Sequence, residues 1–243
     1  MAASVVWITG ASQGLGRALV EHVPFSDAEL FDVSRRGGVP GTTHVGADLA
    51  DPSGWVAVEA HVREVLGGFD GSRAVFVHNA GTLEPMGFAA EVDAEGYRRQ
   101  VLLNSAAPQV LGAAFLSAAT ATSAQVDFVQ ITSGAATTPY EGWSGYCAGK
   151  AAGDHWVRTV GAEQARRGGA RVLAIAPGVV DTGMQSYLRS HDERDFPAVA
   201  KFHDLHAQGK LTDPGDAAQR IWAALERDDL DTGSVLDLRA LGD

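Results

Sequence analysis

Short apolar runs alternate with helical segments along the whole chain, and this rhythm restricts the fold more than any other feature. "SVVWIT" (residues 4–9) ends in glycines and is followed by "GLGRALVEHV", whose apolar residues recur at helical spacing. "AELFDVS" and "THVGADL" read as the next strands. "PSGWVAVEAHVREVLGG" reads as a helix with Pro52 near its start and glycines at its end, and "RAVFVHN" as a buried strand. Residues 93–120 read as one long helix with a kink near Pro108. The strand "AQVDFVQITS", the helix "WSGYCAGKAAGDHWVRTVGAEQARR", the strand "ARVLAIAPG", the helix "DPGDAAQRIWAALE" and the strand "GSVLDLR" complete the order. Strands joined through helices lie parallel, so the pattern predicts an α/β fold with a doubly wound parallel sheet and helices on both faces. Without a repeat or linker to divide it, the chain reads as a single domain over residues 1–243. Residues 181–210 break the rhythm. They follow a strand's C-terminal end, where open α/β sheets bind ligands, and read either as a segment that covers a substrate or as an irregular surface insertion.

Composition narrows the classes of function. The chain is 45% hydrophobic and 20% charged, enough for a sizeable core, and its formal charge of −11 suits neither nucleic acid nor an anionic membrane surface. Cys147 is the single cysteine, so no internal disulfide can form. "MAASVVWITG" reads as a first strand rather than a signal peptide, and no stretch reads as the roughly 18 apolar residues that cross a bilayer. A cytoplasmic protein is expected. The eight histidines form no metal-like cluster.

Two motifs carry chemistry. "TGASQGLG" joins the first strand to the first helix, with Gly10, Gly14 and Gly16 permitting a tight turn and close backbone approach to a pyrophosphate. "YCAGK" sets Tyr146 and Lys150 four residues apart, on one helical face with only small residues between them. A nearby ammonium favours the phenolate and lowers a phenol's ordinary pKa of about 10. The pair reads either as a tuned proton donor or as a chance pairing on an exposed helix, and taken alone it favours the second. Cys147 falls on another face and reads as a passive buried thiol rather than a nucleophile.

In this order, the motifs resemble the short-chain dehydrogenase/reductase family. "TGASQGLG" resembles its cofactor loop and "HNAG" (residues 78–81) its Asn-Asn-Ala-Gly motif, with His78 in place of the first Asn as a cofactor-side substitution. Asn104, Ser133 at the end of "FVQITS", and "YCAGK" stand where the family has its catalytic set, and "PGVVDTGMQ" (residues 177–185) resembles its nicotinamide-binding loop. The resemblance implies a Rossmann-like domain in which Tyr146 donates a proton to a carbonyl oxygen while hydride arrives from the nicotinamide. It implies that Lys150 lowers the tyrosine pKa and binds the ribose, that Ser133 holds the substrate oxygen, and that Asn104 supports a water relaying protons to Lys150. The cofactor residues it implies are Gly10, Ser12, Gln13, Gly14, Leu15, Gly16, Ser34, Arg35, Asp48, Leu49, Asn79, Ala80, Gly81, Tyr146, Lys150, Pro177, Gly178, Val180 and Thr182. No metal is implied. Family members associate through the helices that here contain Asn104 and Tyr146, so a homodimer or homotetramer is expected.

The second strand bears on the choice of cofactor. It ends "FDVSRR", placing Ser34 where an acidic residue would select NAD, with Arg35 beside it to meet a 2′-phosphate. Asp32 argues for NAD, but two residues back it should sit deeper than the ribose. Gln13 departs from the basic residue of many NADP-binding members. The balance favours NADPH. Asp48 reads either as an adenine contact or as a turn or helix-capping residue. "GWSGYCAGKAA" and "PGVVDTGMQ" resemble the branch of the family holding sepiapterin and benzil reductases, which implies an NADPH-dependent reductase of ketones or vicinal dicarbonyls. Pro85, Met86, Trp143, Met184 and Tyr187 could line its pocket. An NAD-dependent alcohol dehydrogenase of the same fold, or a non-catalytic NADPH-binding redox sensor, remain alternatives.

Overall fold

In a computed structural model that describes residues 3–240, seven strands form one wholly parallel sheet. They are β1 (Ser4–Thr9), β2 (Ala28–Ser34), β3 (Thr43–Gly46), β4 (Arg73–His78), β5 (Gln125–Ile131), β6 (Arg171–Ala176) and β7 (Val235–Asp237), in the order β3-β2-β1-β4-β5-β6-β7. The order reverses between β1 and β4, so the helices that follow these two strands leave on opposite faces and open a crevice at the strands' C-terminal edge. The alternation expected for an α/β fold is therefore the observed architecture.

The helices are α1 (Gly14–Glu21), α2 (Pro52–Gly67), α3 (Ala94–Val101), α4 (Ala107–Ala119), α5 (Ser144–Arg167), α6 (Gly183–Arg189), α7 (Val199–Ala207) and α8 (Pro214–Leu225). Leu15, Ala18 and Leu19 of α1 pack with Ile221 and Trp222 of α8 on Val6, Ile8, Val75 and Val129. On the other face α2, α4 and α5 bury Val58, Phe115 and Val157 against Trp7, Phe31, Phe76 and Phe128. A third apolar cluster lies beyond the strand ends, where α6 and α7 bring Leu188 and Phe202 onto Trp143 and Phe196. Local signals set the helix starts: Asp51 accepts from the Ser53 N–H at 2.9 Å ahead of Pro52, and Asp213 accepts from the Gly215 N–H at 2.7 Å ahead of Pro214.

Residues 94–119 depart from a plain helix. Between α3 and α4, residues Leu102–Ala106 form a π-helical turn. Pro108 has no N–H to give to the carbonyl four residues back, which is that of Asn104, so the sequence signal for a kink marks a widened turn at Asn104. Length and composition would let Ala94–Ala119 cross a bilayer, contrary to the expectation that no stretch could. Ala107, Leu111, Phe115 and Ala119 instead face the core, and one third of its most apolar window is buried.

Candidate active site

A cleft of about 1160 Å³ opens at the switch point of the sheet. At one end the turn after β1 wraps it, with Gly10 and Gly14 in the left-handed region at φ +67° and +53°. A Cβ on Gly16 would run into the Gly10 carbonyl, so the turn closes only around a residue without a side chain. Asn79 pins it, donating from Nδ2 to the Thr9 carbonyl at 3.0 Å, while the Thr9 hydroxyl accepts from the N–H groups of Asn79 and Ala80. Opposite, Thr182 approaches Gly14 from the loop that carries Gly178 at φ +87°. This backbone-lined cradle at the start of α1 fits a dinucleotide's pyrophosphate, which needs N–H donors at close range and no side chains in the way.

Every cofactor residue expected from the sequence lines this cleft. Ser34 and Arg35 do so at the end of β2, whereas Asp32 is fully buried within the strand and outside the cleft, as its depth predicts. Asp48 caps no helix. It accepts from the Ala50 N–H at 3.0 Å and pairs with Arg99 at 2.6 Å, and hydrogen bonds and charge from Arg99 outweigh burial to hold its pKa below the usual range. His78 is not on the cofactor side at all. Its ring lies beneath the cleft floor, 2% exposed, with neither nitrogen hydrogen-bonded, and burial with the nearby Lys150 charge pushes its pKa down to about 3. It is a neutral core group.

Ser133, Tyr146 and Lys150 meet on one wall at the other end of the cleft. The Ser133 oxygen accepts from the Ala135 N–H at 3.2 Å, which leaves its hydrogen to donate. Lys150 gives one N–H to the Ile131 carbonyl at 2.7 Å and keeps two for the cleft. Asn104 stands just behind, with both halves of its amide spent on Thr82: Oδ1 accepts from the backbone N–H at 2.9 Å and Nδ2 donates to the carbonyl at 2.7 Å. Gly149 lets α5 come this close, since a Cβ there would press on Asn104. Of the small residues inside "YCAGK", Gly149 serves this helix contact, whereas Ala148 is exposed and Cys147, expected to be buried, is only half-buried.

The expected lowering of the Tyr146 pKa is not what this geometry gives. The ring is buried, and burial pushes the phenol up to about 12, with Ser133 near enough to draw it part of the way back. The Lys150 nitrogen lies 5.7 Å from the ring centroid and is turned toward the Ile131 carbonyl. Burial also lowers Lys150 to about 8, with Asp154 one turn further along α5 opposing the shift.

A sequence profile described as short chain dehydrogenase matches residues 4–193. The chain belongs to that family. Benzil reductase ((S)-benzoin forming) of Bacillus subtilis (strain 168) is 31% identical over 236 residues, covering 96% of this chain and 97% of the relative. Sepiapterin reductase of Rattus norvegicus is 31% identical over 254 residues, covering 96% and 95%. Among solved structures, the KRED1-Pglu enzyme superposes with a TM-score of 0.81 at 28% identity, over 96% of this chain and 100% of its own. A putative NAD(P) dependent gluconate 5-dehydrogenase from Beutenbergia cavernae, with bound NADP, superposes with a TM-score of 0.78 at 27% identity, over 98% and 96%. This short-chain dehydrogenase is therefore an oxidoreductase of the benzil and sepiapterin reductase-like subgroup with a Rossmann-like fold, in a family that binds NAD(P).

Within this family member the segment 181–210 forms α6 and α7, and Met184, Tyr187, Lys201 and Phe202 from it line the cleft. Pro85 and Trp143 line it too. Met86 does not: it packs into the aromatic cluster with Leu83 and Trp143. Charged cleft residues that escaped the sequence reading include Arg99, Lys201, Lys210 and Arg239. Each is an ordinary charged residue far in sequence from the motifs, placed by the tertiary fold alone.

Proposed function

We propose that the protein is an NADPH-dependent carbonyl reductase acting on ketones and preferentially on vicinal dicarbonyls. The observation that carries this reading is the convergence of Ser133, Tyr146 and Lys150 at one end of a cleft whose other end presents the glycine turn and Arg35. The likeness to benzil and sepiapterin reductases supports the substrate class. The cofactor supplies the hydride. The chain's own residues do the rest: Ser133 donates a hydrogen bond to the carbonyl oxygen, and Tyr146, neutral because it is buried, gives that oxygen its proton. Lys150, charged below about pH 8, offers its two remaining N–H groups to the cleft, where they suit ribose hydroxyls and the phenol. Asn104 holds the Thr82 backbone beside them.

The test follows loss of NADPH absorbance with benzil, a monoketone of similar size, and a secondary alcohol with NADP⁺. The expected order of kcat/KM is diketone, monoketone, alcohol. Preference for the alcohol with NAD⁺ would make the protein a dehydrogenase, and tight NADPH binding without turnover would make it a sensor.

Arg35 is assigned the 2′-phosphate. Arg35→Ala should weaken NADPH by one to two decades, the equivalent of about 1.5–3 kcal/mol for a charged hydrogen-bond partner, and leave NADH nearly unchanged. Fluorescence titration of both cofactors measures this, and equal losses would refute the assignment.

A further inference from the structure

The chain has three lysines against sixteen arginines, and all three lysines line the same cleft. Lys150 belongs to the reacting end. Lys210 stands next to the segment in which Thr212 pairs with Val179 and Val180, beside the nicotinamide loop. Lys201, in the first turn of α7, lies instead over the rings of Tyr140 at 5.1 Å and Phe202 at 5.5 Å, and its nitrogen donates to the Tyr140 hydroxyl at 2.8 Å. No carboxylate among the described residues pairs with it, although the chain carries a formal charge of −11. Of the neighbouring charges, Arg239 is paired with Asp237 and its charge also reaches Tyr140, while Glu84 acts on Tyr187.

We propose that Lys201 and Tyr140 form a subsite for an anionic group on the substrate, remote from the carbonyl that reacts. The inference rests on the carbonyl reductase reading for the reacting end and adds the chemistry of the far end. The Tyr140 oxygen accepts from the ammonium, so its own hydrogen is free to donate, and the ammonium makes it a stronger donor. A carboxylate, sulfonate or phosphate would receive that O–H together with one N–H of Lys201. Aromatic rings bridge the two ends: Tyr140 and Trp143 are 5.2 Å apart by ring centroids, and Trp143 and Tyr146 are 5.5 Å apart. A flat aromatic body fits along this wall, with its dicarbonyl at Tyr146 and its anionic substituent at Lys201. The substrate class is thus an aromatic dicarbonyl that carries a negative charge on the ring.

The experiment compares kcat/KM for benzil-4-carboxylate and its methyl ester with NADPH. At low salt the carboxylate should be preferred by about tenfold, and the preference should shrink as salt is added. Lys201→Gln should bring the ratio to about one, and Lys201→Arg should restore it. An ester used as well as the acid, or an acid preference that survives Lys201→Gln, would overturn the proposal. If neither dicarbonyl is reduced, the reductase reading has failed, and binding still decides the subsite. 4-Benzoylbenzoate and its methyl ester are then titrated into the protein with NADP⁺, following ε-¹³C-labelled lysine by NMR. With three lysines the spectrum is simple, and the Lys201 variants identify its signal. A Lys201 shift with the acid and not the ester supports the subsite, and equal responses reject it.

Discussion

Tyr146→Phe is expected to lower kcat by about 10²- to 10⁴-fold, the range that general acid catalysis contributes, while cofactor affinity stays within a few-fold of the parent. The substitution removes one oxygen and keeps the ring. The packing against Trp143, at 5.5 Å between ring centroids, is retained, so the α5 wall and the cradle for the dinucleotide should be undisturbed. A phenol pushed up to about 12 holds its proton throughout the physiological range, which suits a donor in the reductive direction and not a resident phenolate. Steady-state turnover of a diketone and a fluorescence titration with NADPH give the two readouts. Turnover within tenfold of the parent would move the proton-donating role to Ser133 or to solvent. A parallel loss of cofactor binding would show that the hydroxyl organises the site rather than reacting in it.

The spacing of "YCAGK" placed the phenol and the ammonium on one face, and the structure agrees. Spacing could not weigh burial against charge, and burial wins at both residues. The end of β2 was more fully legible. A strand's period of two puts Asp32 and Ser34 on the same side at different depths, and that alone separates the buried carboxylate from the cleft-lining serine. Pro108 signalled a break, but only the helical ladder shows that the missing N–H is the one owed to Asn104. The Arg99–Asp48 pair joins α3 to the turn after β3 across 51 positions of chain, and Lys201 reaches Tyr140 across 61. Contacts of that range have no periodic trace in a single sequence. His78 was read by its neighbours in "HNAG", yet it is buried and does not line the cleft.

Lys150→Met is expected to abolish turnover and weaken the cofactor while costing the fold little. Lys150 is 6% exposed, and its pKa falls from 10.5 to about 8 because burial penalises the charge. A base depressed in this way binds its proton more weakly in the folded state than in the unfolded one. Below about pH 8 the native protein carries the full penalty, about 3 kcal/mol for a shift of this size. Between about 8 and 10.5 the native lysine is neutral while the unfolded one is still charged, so stability rises with pH, and above 10.5 the penalty is gone. Methionine fills a similar volume and carries no charge. It forfeits the hydrogen bond to the Ile131 carbonyl and removes one of the two cations that act on Asp154, Arg158 being the other, which offsets part of the gain. The variant should therefore be at least as stable as the parent near pH 7. Its advantage should decline by about 3 kcal/mol as pH rises from 8 to 10.5, on the order of 10 °C in Tm for a chain of this size. Paired thermal melts across that range measure the difference, and groups common to both proteins cancel. Parallel curves would mean that Lys150 is not held against its own solvation. Curves that converge, in a variant that has lost turnover, would show a site keeping a buried charge for its chemistry at the expense of the fold.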